Sequence, residues 1–144
     1  MSSTETNVFN VLGDVNWIGV PVAFLVFFLL GGLWFALLFN KAYNISLGRD
    51  ASARQQGSAL FYVGPALTAL VITITSAILM AVLRIDSCSD ALLFGLIVGV
   101  GYLVANTVNI AINPNFPRPL FYSLISGGYN LVGSLVVSTI LVAI

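Results

Sequence analysis

Four stretches of nearly unbroken apolar character divide the chain, at residues 16–39, 60–83, 91–112 and 120–144, and polar or charged positions gather in the segments between them. Each stretch is close to the roughly 20 residues a helix needs to cross hydrocarbon. Within them the small and polar positions carry the periodicity. In the third, Gly95, Gly99, Tyr102, Asn106, Asn109 and Asn113 recur at alternating steps of four and three, which places all six on one helix face. The second repeats Ala66, Ala69, Thr73, Ser76 and Met80 in the same way. The fourth carries Ser123, Gly127, Asn130, Ser134 and Leu141, with Val137 or Ser138 between the last two. The pattern predicts an all-α, integral membrane four-helix bundle, a single membrane domain over residues 1–144. Hydrocarbon offers carboxamides no partners, so the polar seams are expected to face protein or a wet cavity. Asn130 is then the natural partner of Asn106 or Asn109.

The ends of the stretches carry local signals. Asn16 can cap the first helix, Trp17 beside it suits an interfacial anchor, and Pro21 falls near the first turn, where a missing donor does little harm. Gly31 and Gly32 leave a notch for another backbone, and Trp34 lies deep enough that its indole N–H needs a partner in the bundle. The connection from Asn40 to Ala59, with Arg49, Asp50, Arg54, Gln55 and Gln56, reads as a surface loop with a turn or two of interfacial helix; the rival is a docking strip for anionic lipid or a partner. Gly64 and Pro65 suggest that the second helix proper starts there, with Pro at its first position. Asp90 is the expected N-cap of the third helix, and Arg84, Asp86 and Asp90 are expected to form weak local ion pairs. The run NPNFPRP, residues 113–119, stops the third helix with three prolines.

Composition narrows the class. Only 7% of the 144 residues are charged against 59% hydrophobic, where soluble domains carry roughly 25% charged residues. Charged outer faces for a water-soluble bundle cannot be assembled from that set. The polar opening MSSTETNVFN lacks the basic region of a cleavable signal peptide, so the first stretch is expected to be retained. Basic residues set the orientation: Lys41, Arg49 and Arg54 in the first connection and Arg118 in the third outweigh Arg84 in the second, which places both termini outside. Lys41, Tyr43 and Arg118 join Trp17 as expected interfacial anchors.

The same inventory limits chemistry. Net charge is zero, which leaves no footprint for nucleic acid. With no histidine, one cysteine (Cys88) and no carboxylate inside a stretch, a transition-metal or haem site has no ligand set, and no cofactor is expected. Proton-coupled transport ordinarily uses an ionisable residue within the membrane, and none is present. Ser126, Ser134 and Ser138 lack a base nearby in sequence and read as packing residues. Gly95, Gly99, Gly127 and Gly128 read as helix-packing positions, the sequon Asn44-Ile45-Ser46 falls on the cytoplasmic side, and the halves show no internal repeat.

The opening run NWIGVPVAFLVFFLLGGLWFALLFNKAYNISLG resembles the signature of the bacterial domain-of-unknown-function family 1761. Asn16 with Trp17, Gly32 with Trp34 and Phe35, and Leu38, Phe39, Lys41 and Tyr43 carry the likeness, and Gly128 with Tyr129 is similar to a Gly-Tyr pair in that family. Phe35, Asn40 and Tyr43 depart from its usual Tyr, Gly and Trp. The resemblance implies a four-span protein of a bacterial inner membrane and no established activity. The reading is therefore a non-enzymatic structural or accessory bundle, with the lipid bilayer and a homo-oligomer or larger membrane complex as partners. The alternative is an oligomeric channel or facilitator for a small neutral polar solute. In either case the polar seam would be Asn106, Asn109, Asn113, Asn130, Thr73 and Ser76.

Overall fold

A computed structural model describes residues 8–54 and 57–144. The first seven residues of the polar opening, and Gln55 and Gln56 of the first connection, lie outside the described residues. All four apolar stretches are helical, over Gly19–Leu38, Leu60–Val82, Cys88–Ala111 and Pro119–Ala143. Large apolar side chains such as Leu29, Leu37, Leu67, Val71, Leu93 and Ile97 cover the outside, as a bilayer requires and water would not tolerate. The protein is an all-helical, four-span membrane protein, and four crossings leave both termini on one side.

The helices are α1 (Gly19–Gly32), α2 (Asn40–Ser46), α3 (Leu60–Val82), α4 (Cys88–Val98), α5 (Ala105–Ala111) and α6 (Pro119–Ala143). A 3-10 turn, Val8–Gly13, precedes α1. Wider π-helical turns extend α1 through Leu33–Leu38 and join α4 to α5 through Gly99–Val104. α6 is the centre of the arrangement: α1, α2, α3 and the whole third span pack against it. α3 leans on α1 and on the 3-10 turn. Of its expected seam, Ala69, Thr73, Ser76 and Met80 are buried and Ala66 is half-buried, with Thr73 Oγ1 donating back to Ala69 O of its own helix at 2.8 Å.

Several ends differ from expectation. α3 begins at Leu60, so Pro65 lies inside the helix. Backbone groups in hydrocarbon must be bonded internally, and continuing the helix through one missing donor costs less than exposing a turn. The cap of α4 is Ser87, not Asp90: Ser87 Oγ accepts Asp90 N–H at 3.2 Å and donates to the Asp90 carboxylate at 2.8 Å. Asp90 is therefore held by its cap, with no ion pair among the described residues. At the end of α3, Arg84 adopts φ 54° while Ile85 N–H reaches Met80 O at 3.0 Å, the closure that glycine ordinarily provides.

Candidate functional site

Among the described residues, the side-chain hydrogen bonds that cross between spans all involve α6. Asn16 Nδ2 donates to Leu141 O at 2.9 Å, Trp34 Nε1 to Ile125 O at 3.0 Å, and Tyr129 Oη to Phe27 O at 3.4 Å. Toward the third span, Asn130 Nδ2 donates to Thr107 Oγ1 at 2.8 Å and Ser134 Oγ to Gly95 O at 2.9 Å. Asn16 also caps α1, accepting Gly19 N–H on Oδ1 at 2.9 Å. One amide thus ends one helix and ties it to another. The Trp34 indole finds the partner its depth demanded.

Glycines admit this closeness. A methyl on Gly95 would lie 2.5 Å from Ser138 Oγ, one on Gly99 2.9 Å from Leu131, and one on Gly133 2.1 Å from the Phe27 ring. A methyl on Gly127 would lie 3.4 Å from a Val104 methyl, and one on Gly128 3.3 Å from the Trp34 ring. The notch at Gly31 is filled by the Tyr129 hydroxyl, while Gly32 beside it faces open space. Gly133 shows no signal in sequence, because its partner Phe27 lies in the first span, three connections away.

The third span does not present the face its spacing predicts. Gly95 and Gly99 are buried, but Tyr102, Asn106 and Asn109 are exposed, and the buried positions continue instead at Thr107 and Ala111. The cause is the π turn. Ala105 N–H bonds to Val100 O, five residues back, so one extra residue enters the turn and every later side chain shifts its facing. Ala91, Gly95, Gly99, Thr107 and Ala111, all multiples of four apart, then stay on one side; an uninterrupted α-helix would drift by about 40° at each such step. The expected pairing of Asn130 with Asn106 or Asn109 is replaced by Asn130 with Thr107. Asn113 serves the helix end: its Oδ1 accepts Asn115 N–H at 2.8 Å and its Nδ2 donates to Ile110 O.

On the side of the first connection, aromatic rings join α1, α2 and α6. Phe27 stacks on Tyr129 at 5.2 Å, Tyr129 meets Phe35 at 5.1 Å, Phe35 meets Tyr43 at 4.9 Å, and Tyr43 meets Tyr122 at 6.0 Å. Tyr43 is thus a packing residue more than a surface anchor. Burial, and then the neighbouring Tyr122 phenol, push its hydroxyl above the ordinary tyrosine value. The first connection folds back beneath: Asn44, 2% exposed, donates to Ala53 O at 3.0 Å and to Ala51 O at 3.3 Å. The expected turn or two of helix in this connection is α2, the rest is a return pinned by Asn44, and Ser52 donors hold the Asp50 carboxyl below its ordinary value. Lys41, Arg118 and Trp17 stay exposed, Trp17 bonded to Leu12 O at 2.8 Å.

Two further features lie near the helix ends. The hydroxyls of Ser123 and Ser126 are buried without a partner among the described residues. On the side of the termini, a half-open cavity of about 330 Å³ is bordered by Asp14, Arg84 and Asp86 over Met80 and Val11. What the interior can do chemically is bond helix to helix, since its donors are neutral amides, hydroxyls and an indole directed mostly at backbone carbonyls.

A family described as "Protein of unknown function (DUF1761)" matches residues 18–142. No curated protein and no solved structure matches the chain.

Proposed function

The chain belongs to the DUF1761 family of proteins of unknown function, and from that premise we propose that it is a non-enzymatic structural or accessory bundle of a bacterial inner membrane. Both termini lie outside in this reading, because Lys41, Arg49, Arg54 and Arg118 occupy the opposite face and basic residues are retained on the cytoplasmic side. The observation that carries it is the destination of the interhelix donors. Asn16, Trp34, Tyr129 and Ser134 end on backbone carbonyls of neighbouring spans and Asn130 ends on a hydroxyl, so each acts as a clamp. Such bonds average about 0.6 kcal/mol and seldom exceed 2, enough in number to set register between helices.

A facilitator for a small neutral solute is the second reading, and the outward amides of Asn106 and Asn109 favour it, as lining for a path between copies. Reconstitution into liposomes separates the two. As a scaffold, the protein leaves glycerol and urea permeation at the rate of protein-free vesicles. Accelerated permeation that Asn106→Leu with Asn109→Leu abolishes would replace the scaffold reading with the facilitator.

A further inference from the structure

Beyond its own bundle, the third span carries a polar face that the chain itself does not cover. Tyr102 is 73% exposed, Asn106 and Asn109 are exposed, and none of the three side chains has a hydrogen-bond partner among the described residues. The span has 24 residues, about 36 Å at 1.5 Å per residue, against a hydrocarbon core of about 30 Å. Centred in that core, Asn106 lies several Å inside the boundary and Tyr102 deeper still. Lipid tails cannot satisfy either group.

We propose that this face is where a second copy of the same chain docks, with the two third spans side by side. The proposal rests on the scaffold reading and supplies its partner. A carboxamide is donor and acceptor at once, so across a two-fold axis the same patch meets itself and Asn106 can pair reciprocally with its own copy. The face carries no formal charge, so bringing it against itself incurs no repulsion, and a charged partner helix would find no counter-charge there. Gly101 and Ala105 lie on the same exposed side one turn apart, and a Cβ on Gly101 would meet nothing within 4 Å. Small residues at that spacing let two backbones approach, which is how membrane helices associate without a hydrophobic driving force. The π turn before Ala105 is what directs this side outward.

The test uses the full chain in lipid vesicles, with Cys88→Ser as background and single cysteines introduced as Ala105→Cys or, for comparison on the second span, Leu67→Cys, at a site 57% exposed. Oxidation should link copies through position 105 and not through 67. Asn106→Leu with Asn109→Leu should weaken association about tenfold, the equivalent of two interhelical hydrogen bonds, with helicity unchanged because both sites are outside the bundle. Ala105→Leu should weaken it as well, by obstructing approach without removing a hydrogen bond. A chain that stays monomeric at every protein-to-lipid ratio, copies that link equally through position 67, or a chain monomeric in pure lipid that captures a different protein through position 105 would each overturn the proposal. A dimer that conducts solute sinks the scaffold reading and leaves the interface; an inert monomer does the opposite.

Discussion

Asn130 reaches Thr107 at 2.8 Å and passes by Asn106, the adjacent residue in sequence, which faces away from the bundle. The pair fixes how the third span is rotated about its axis relative to the last. Thr107→Val removes the acceptor while keeping the shape, and is expected to destabilise the monomer by about 1 kcal/mol. Asn106→Leu should change monomer stability by no more than about 0.5 kcal/mol. Thermal unfolding of dilute protein in detergent compares the two.

Of the glycines, Gly133 leaves the least room for a side chain, and what fills that room is the Phe27 ring. Phe27 is 1% exposed and stacked on Tyr129, so its ring has nowhere to retreat from a methyl placed 2.1 Å away. Gly133→Ala should cost about 1–3 kcal/mol by overpacking. Gly32→Ala, in open space, should be neutral or stabilising, and the same melting experiment checks both.

Asn44 holds the return of the first connection through Ala51 and Ala53 carbonyls. Asn44→Leu leaves those carbonyls without their buried donor, and the segment carrying Arg49 and Arg54 should open. Limited trypsin digestion should then cut at Arg49 or Arg54 several times faster, with the spans intact; unchanged cleavage would show that the amide does not pin the loop.

Tyr43 gives the fold an alkaline limit. Its folded-state value lies above the ordinary 10.0 because burial and the nearby Tyr122 disfavour the phenolate. The neutral form is then the one the fold prefers, so its contribution is complete below pH 10 and declines as pH rises from there through the raised value. Tyr43→Phe should flatten the fall in melting temperature above pH 10, measured against the parent chain.

Hydropathy and charge alone made the membrane class and the four spans legible, because crossing hydrocarbon imposes length and composition directly. Local partners were legible too: Asn16 at the start of α1 and Trp34 in need of an acceptor follow from what those groups require wherever they are buried. The rotation of the third span was not. Its spacing of Gly95, Gly99, Tyr102, Asn106, Asn109 and Asn113 assumes an unbroken helical period, and the π turn at Gly99–Val104 adds a residue that periodicity does not register. Gly133 was hidden for a different reason, since the ring that needs the space is more than a hundred residues away in sequence.

The rotation is therefore the point to measure. In the Cys88→Ser chain, Thr107→Cys combined with Asn130→Cys should form an intramolecular disulfide rapidly on mild oxidation, and Asn106→Cys or Asn109→Cys combined with Asn130→Cys should not. Faster closure from position 106 or 109 than from 107 would show an unbroken third helix with its amides turned inward, and would contradict the account.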